Sequence, residues 1–109
     1  MRVVALIPAF NEADTIVQTL TAVAGLQLVD EIVVIDDGSQ DATFVLASGC
    51  SLSKQVTVLQ LGANQGKGAA LNYGRHKVKG DVYLLIDADL GSTAGLAGAL
   101  LEPVVRDQA

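Results

Sequence analysis

The sequence predicts an α/β fold built on a parallel, Rossmann-like sheet, with strands and helices in the order β-α-β-α-β-α-β-α. Short apolar runs alternate with stretches of helical spacing, and polar turn residues follow each run. The runs are Val3–Ile7, Glu31–Ile35, Val56–Leu61 and Asp81–Ile86. Runs that are apolar almost throughout are typical of parallel strands covered on both faces. Helices between them supply the right-handed crossovers that join such strands.

The first helix is predicted from a single apolar face. Its positions at helical spacing are Ile16, Leu20, Val23 and Ala24. Asn11 is a candidate N-cap, and Asp14 follows three residues later, where a carboxylate is favourable near the positive end of the helix dipole. Gly25 is a candidate stop.

Three further helices follow the same pattern. The second is expected over Asp41–Ala47 and the third over Gly68–Lys79, each followed closely by a glycine that can end it. The fourth is expected to begin after Ser92, a good N-cap, and to continue to about Val105. Pro103 would disturb its last turn.

Bulk composition limits the function classes. The 109 residues suffice for one small domain, so we expect 1–109 to form a single unit, the truncated part of a larger protein. The net charge of −5 argues against nucleic-acid binding, which requires clustered Lys and Arg. Cys50 is the only cysteine, so no internal disulfide can form. The first apolar run is too short for a signal peptide or a membrane span, and a cytoplasmic location is expected.

The turn after the first run reads Pro8-Ala9-Phe10-Asn11-Glu12. It brings an aromatic ring, an amide and a carboxylate to the carboxyl end of a strand, where open α/β sheets bind ligands. A base could pack on Phe10, and Glu12 could accept hydrogen bonds from hydroxyl or ring N–H groups. The alternative is an ordinary turn with a helix cap.

Two adjacent carboxylates, Asp36 and Asp37, end the second run ahead of Gly38 and Ser39. Buried unpaired acids are costly, which favours a functional role such as hydrogen bonding to a base or a ribose. The alternative is that Asp37 or Ser39 caps the second helix.

The turn after the third run, Asn64-Gln65-Gly66-Lys67-Gly68, opens a helix with glycines and a lysine. Backbone N–H groups and Lys67 could meet a pyrophosphate there. The spacing of a Walker A loop is absent. A glycine-rich turn with a surface lysine is the alternative.

Asp87-Ala88-Asp89 follows the fourth run and gives the sharpest signal. Two carboxylates that flank one small residue can face a hard divalent cation, and such a cation commonly bridges to phosphate oxygens. The motif is weak alone and stronger at a strand end beside three other polar turns. It predicts a metal-assisted site for a phosphorylated ligand.

Taken together, the four turns resemble family 2 glycosyltransferases of the GT-A fold, including the branch of polyprenyl-phosphate mannose and glucose synthases. The matching segments are Ile7-Pro8-Ala9-Phe10-Asn11-Glu12, Val34 to Thr43, Asn64 to Asn72, and Asp87-Ala88-Asp89-Leu90. They cover nearly the whole chain in the family's order. The resemblance implies that the chain is the nucleotide-binding half of a GT-A fold.

The resemblance also implies roles for individual residues. Those assigned to the nucleotide sugar are Pro8, Phe10, Glu12, Asp36, Asp37, Lys67, Asp87 and Ala88. Asp89, with Asp87, would hold Mg²⁺ or Mn²⁺ against the diphosphate of a UDP- or GDP-linked sugar. The transfer would be inverting. The acceptor would be a polyprenyl phosphate or another lipid or glycan, and the catalytic base is expected in a C-terminal part beyond this chain.

Two other interpretations remain open. A truncated enzyme could leave a non-catalytic nucleotide-binding or oligomerisation module, whose exposed strand edge would seek a second copy. A receiver-type signalling domain also has acidic pairs at strand ends, but its acidic pair follows the first strand, where this chain has Pro-Ala-Phe-Asn-Glu. In a longer parent, the cytoplasmic part could lie at the inner face of a membrane.

Overall fold

The structure is a computed structural model that describes residues 1–99 and 104–105. Its strands are β1 (Val3–Ala9), β2 (Glu31–Asp36), β3 (Gln55–Gln60), β4 (Val82–Leu85) and β5 (Val104–Val105). Its helices are α1 (Ile16–Ala24), α2 (Thr43–Ser48) and α3 (Lys67–Lys77), and a 3-10 segment covers Ala88–Ala99. Within these residues, no helix has both the length and the apolar character that crossing a membrane requires.

The sheet has the strand order β3-β2-β1-β4-β5, and its first four strands are parallel. The chain winds outward from β1 to β3 and then returns to place β4 on the other side of β1. Leu6 of β1 therefore pairs with Val33 on one side and Leu85 on the other. The predicted parallel α/β fold is confirmed. Its order matches the dinucleotide-binding type rather than the receiver type, in which β1 lies between β2 and β3.

The sheet is covered on both faces, as the apolar runs predict. Ile7 packs with Ile16 and Leu20 of α1 on one face, and Leu6 packs with Ile35 and Ala70 of α3 on the other. Successive β1 residues alternate between these two cores because side chains of a strand point to opposite faces.

Helix α3 lies close to the sheet at Gly74. A Cβ atom at this position would be 2.7 Å from Cδ1 of Ile35 and 3.3 Å from Cδ2 of Leu6. The missing side chain lets the helix backbone pack directly on the sheet and fixes the height of α3 above it.

The prediction that Asn11 caps α1 is wrong. The helix begins at Ile16, after Thr15, and Asn11 adopts a left-handed conformation with φ of 54°. The Asn11 Oδ1 atom accepts a hydrogen bond from the backbone N–H of Gln40 at 2.8 Å. The Asn11 side chain therefore bonds to the loop after β2 and does not cap α1, contrary to the prediction from the sequence spacing.

The prediction of a fourth helix that runs from Ser92 to about Val105 is also wrong. Ala88–Ala99 forms 3-10 turns interrupted at Gly91, whose φ of 58° and ψ of −139° are not helical. Val104 and Val105 form a short strand antiparallel to β4, and the part of the prediction over 100–103 lies outside the described residues. The kink at Gly91 lies ahead of the predicted helix, and the residues after it, up to Ala99, form 3-10 turns instead of an α-helix. The edge of β4 offers backbone partners to Val104 and Val105, two β-branched residues. Antiparallel edge strands of this kind are common on otherwise parallel sheets.

Candidate functional site

A cavity of about 440 Å³ lies at the carboxyl ends of the strands, where the strand order reverses between β1 and β4. It is lined by Pro8, Ala9, Phe10, Glu12, Asp37, Asn64, Gly66, Lys67, Asp87, Ala88 and Asp89. Every residue that the family resemblance assigned to the nucleotide sugar or the metal lines this cavity, except Asp36. Cavities of this size and place are typical small-molecule sites in open α/β sheets.

The turn after β1 supplies the apolar part of the lining. Pro8 is half-buried, and the ring of Phe10 is 42% exposed. Glu12 stands beside them at the end of the same turn. The backbone N–H of Asn11 donates to Ser39 Oγ at 2.8 Å, and that of Glu12 donates to Thr43 Oγ1 at 2.8 Å. The turn is thus held by the loop that follows β2 and by the first residue of α2.

Asp41 joins the same two loops. Its carboxylate accepts hydrogen bonds from the backbone N–H groups of Ala13 at 3.2 Å and Thr43 at 3.0 Å, and from the Thr43 hydroxyl. These hydrogen bonds lower the pKa of Asp41 below its ordinary value, and the bond from the Thr43 hydroxyl contributes most. A charged Asp41 therefore helps to fix the turn that carries Phe10 and Glu12.

The two adjacent aspartates after β2 have different surroundings. Asp36 is completely buried, with Oδ1 accepting from the Ser39 backbone N–H at 3.1 Å and Oδ2 accepting from Gln60 Nε2 at 3.3 Å. Its carboxylate therefore shapes the turn from inside the protein and has no face on the cavity.

Asp37 is also buried, yet it reaches the cavity wall. Its Oδ1 accepts from the Gln65 backbone N–H at 2.8 Å, and its Oδ2 accepts from that of Gly66 at 2.9 Å. The third turn is thus fastened to the second. Neither Asp37 nor Ser39 caps α2, which begins after Ala42 without a side-chain cap.

The same two turns touch at Gly38. Its φ of 76° lies in the left-handed region, and a Cβ atom here would be 2.7 Å from the Asn64 backbone nitrogen. Glycine meets both requirements. Ala9 also lines the cavity, within the predicted turn after β1 but without a predicted role of its own. Asn64 and Gly66 likewise line the cavity without individually predicted roles, although they belong to the predicted turn after β3. Their part in the lining depends on this contact between loops.

Lys67 and Asp87 form an ion pair that connects the start of α3 with the end of β4. The two side chains are 60% and 54% exposed, respectively. Exposed ion pairs of this kind contribute little stability, about 0–1 kcal/mol, so either partner can exchange the other for a ligand at small cost.

Asp87 and Asp89 are exposed on either side of the buried Ala88. Both carboxylates line the cavity. Among residues 1–99 and 104–105, no three His, Cys, Asp or Glu side chains converge closely enough to hold a metal alone. The two carboxylates nevertheless fit Mg²⁺ or Mn²⁺, because these cations favour oxygen ligands and commonly take the remainder from phosphates and water.

Comparison with known proteins shows which family this chain resembles. Residues 4–109 match the family model described as glycosyl transferase family 2. The chain is 32% identical over 108 residues to dolichol-phosphate mannosyltransferase of Pyrococcus furiosus, covering 95% of this chain and 30% of that protein. It is 36% identical over 89 residues to glucosyl-3-phosphoglycerate synthase of Mycobacterium tuberculosis, covering 77% of this chain and 28% of that protein.

Solved structures show the same fold. Mannosyltransferase PcManGT from Pyrobaculum calidifontis, in complex with GDP-Man and Mn²⁺, aligns with a TM-score of 0.71 and 27% identity, over 81% of this chain and 27% of that chain. S. aureus TarS 1-349 in complex with UDP aligns with a TM-score of 0.74 and 27% identity, over 82% of this chain and 28% of that chain.

The chain spans less than a third of the length of each of these relatives. The family model, in contrast, matches nearly all of it, from residue 4 to residue 109. The chain therefore belongs to glycosyl transferase family 2.

Proposed function

We propose that this chain is the donor-binding part of a glycosyltransferase that takes a sugar from UDP or GDP with the help of Mg²⁺ or Mn²⁺. The observation that carries the proposal is the meeting of four strand-end turns in one cavity, with an aromatic ring, a lysine and the Asp87–Asp89 carboxylates in its lining. The related structures that contain UDP or GDP-Man support it.

The base and ribose would occupy the part of the cavity next to β1 and β2. Phe10 and Pro8 offer an apolar surface for the base. Asp37 and Glu12 offer carboxylate oxygens to N–H and hydroxyl donors. Asp37 is rigid because two backbone N–H groups already hold it, and a rigid acceptor loses little freedom on binding.

The diphosphate would occupy the part between α3 and β4, close to Lys67, Asp87 and Asp89. The described lining carries four carboxylates and one ammonium group, so a doubly charged diphosphate would meet net repulsion there. A divalent cation on Asp87 and Asp89 would reverse this balance and neutralise the leaving nucleoside diphosphate. The charge of the cavity is thus our reason for expecting metal dependence.

The remaining features of the reaction stay proposals. We expect inversion at the sugar carbon, and a catalytic base supplied from outside the donor site to deprotonate the acceptor. A polyprenyl phosphate, another lipid or a glycan is the proposed acceptor, as the dolichol-phosphate mannosyltransferase among the relatives suggests. A cytoplasmic location, at the inner face of a membrane in a longer parent, also stays a prediction. Family membership and the charged cavity disfavour a non-catalytic module.

Calorimetric titration of UDP-glucose and GDP-mannose, with Mn²⁺ and with EDTA, tests the proposal. We expect one of the two to bind with Mn²⁺ and to lose most of its affinity in EDTA, while the matching nucleoside without phosphates binds weakly and equally in both. Equal binding of the nucleotide sugar with and without metal would contradict the metal role. No binding of either compound to a folded sample would contradict the donor site.

A further inference from the structure

The backbone between the two aspartates of the Asp87-Ala88-Asp89 motif is held by α1. The carbonyl oxygen of Ala88 accepts a hydrogen bond from Thr19 Oγ1 at 2.7 Å and another from Thr15 Oγ1 at 3.0 Å. Thr19 has no exposed surface, and Ala88 is 4% exposed. These bonds connect residues about seventy positions apart in the sequence.

Thr19 makes a second bond to the same segment. Its hydroxyl oxygen accepts from the backbone N–H of Gly91 at 2.8 Å. A threonine hydroxyl has one hydrogen, and Thr19 Oγ1 also lies 3.0 Å from the Thr15 carbonyl oxygen. The Ala88 carbonyl oxygen lies closer to Thr19 Oγ1 than the Thr15 carbonyl oxygen does, so it is the better acceptor for this hydrogen. One hydroxyl group thus ties both ends of the Ala88–Gly91 turn to α1.

The backbone at Gly91 is built for this contact. Its φ of 58° with ψ of −139° is a conformation that residues with a side chain avoid, and a Cβ atom would lie 3.2 Å from Gln18 Oε1. The sharp turn brings the Gly91 N–H back towards α1. The position and burial of Thr19 and the backbone conformation of Gly91 therefore all indicate that Thr19 anchors this turn to α1.

We propose that Thr19 is a positioning residue for the divalent cation site. Its hydroxyl fixes the Ala88 carbonyl inward, so that the flanking Asp87 and Asp89 stay on the cavity side with their spacing set before a ligand arrives. The inference rests on the proposed function, because the cation and the diphosphate are the ligands that this spacing serves. Thr19 does not line the cavity and acts only through the backbone.

The test compares Thr19→Ser with Thr19→Ala, two variants that differ from each other by one hydroxyl oxygen. Thr21→Val is the control, since Thr21 lies on the exposed side of α1 and its hydroxyl donates to the Val17 carbonyl at 2.8 Å. Calorimetry with UDP and GDP gives, for each variant, the ratio of affinities with Mn²⁺ and with EDTA. We expect this ratio to fall at least tenfold in Thr19→Ala, and to stay within twofold of wild type in Thr19→Ser and Thr21→Val.

The metal-free affinity and the melting temperature distinguish a specific effect on the proposed cation site from destabilisation of the whole protein. Thr19→Ala should keep its metal-free affinity for the nucleotide within twofold of wild type. An unchanged ratio in Thr19→Ala, or an equal loss with and without Mn²⁺, would overturn the inference. Thr19→Val, which keeps the packing volume, repeats the test if Thr19→Ala does not fold. If neither folds while Thr19→Ser does, the hydroxyl serves the fold and the inference falls. A wild-type chain without Mn²⁺-dependent binding would overturn the proposed function itself.

Discussion

The Lys67 ammonium group pairs with the Asp87 carboxylate between two turns that lie 20 residues apart in the sequence. Both residues line the cavity, so the pair occupies the place proposed for the diphosphate and its cation. Without a ligand the lysine neutralises one carboxylate of the proposed metal site. Ligand binding would bring a divalent cation to Asp87 and a diphosphate to Lys67, and each of these carries more charge than the side chain it replaces.

Replacing Lys67 should affect the binding of the nucleoside diphosphate and the binding of Mn²⁺ differently. We expect Lys67→Met to weaken nucleoside diphosphate binding in Mn²⁺ roughly ten- to a hundredfold, because a charged hydrogen bond contributes about 1.5–3 kcal/mol. The affinity for Mn²⁺ alone should rise or stay unchanged, since Asp87 loses its competing cation. Calorimetry measures both values. Lys79→Met, an exposed lysine after α3, is the control, and an equal loss in both variants would contradict the role of Lys67.

Removing Asp89 should abolish metal-dependent binding and leave the fold intact. The side chain is exposed, so Asp89→Ala should melt within a few degrees of wild type. Its affinity for UDP or GDP should no longer respond to Mn²⁺. Asp14→Ala, an exposed carboxylate outside the cavity lining, is the matched control. A Mn²⁺ response that survives in Asp89→Ala would remove Asp89 from the metal site.

Asp36 and Asp37 should differ in what their replacement costs. Asp36→Ala leaves the Ser39 N–H and the Gln60 amide without their acceptor, so the free energy of unfolding should fall by about 1–3 kcal/mol. Asp37→Ala should also weaken metal-free nucleotide binding, because it removes a cavity acceptor and releases the Gln65–Gly66 backbone. Urea denaturation and titration in EDTA provide the two measurements. Metal-free affinity retained in Asp37→Ala would contradict its proposed ligand role.

Asp41 should make stability depend on pH in the acid range. Its pKa is lowered in the folded state from 3.8, first by the hydrogen bond from the Thr43 hydroxyl. A lowered pKa means that the stabilisation is present above 3.8 and is lost as the pH falls through the folded-state pKa. The urea midpoint of Asp41→Asn should therefore vary less with pH below about 4 than that of wild type. Asp14→Asn is the control, and equal pH profiles for wild type and Asp41→Asn would contradict this role.

Two glycines of α3 should respond in opposite directions to alanine. Gly74→Ala should lower the free energy of unfolding by about 1–3 kcal/mol, because its Cβ would lie 2.7 Å from Ile35 Cδ1. Gly68 has no atom within 4 Å of its Cβ position, so Gly68→Ala should raise stability by about 0.5–1 kcal/mol. Urea denaturation of both variants provides the test. Equal effects would mean that α3 does not approach the sheet at Gly74.

The four parallel strands and the position of the candidate site can be predicted from the amino-acid sequence. Continuous β-branched runs such as Ile32–Ile35 predict buried strands, and the carboxyl ends of parallel strands gather at one edge of the sheet. The turns that carry Phe10, Lys67 and Asp87 therefore had to meet. No contact between side chains is needed for that conclusion.

The roles of individual side chains depend on tertiary contacts that the sequence pattern does not show. Asp36 and Asp37 are equivalent in the sequence, yet one is sealed beneath the turn and the other forms the cavity wall, because successive residues at a strand end face opposite directions. Asn11 serves a loop 29 residues away instead of its own helix. Thr19 bonds to Ala88, 69 residues on. Hydrogen bonds between residues so distant in the sequence depend on how the elements pack, so the local spacing of residues cannot predict them.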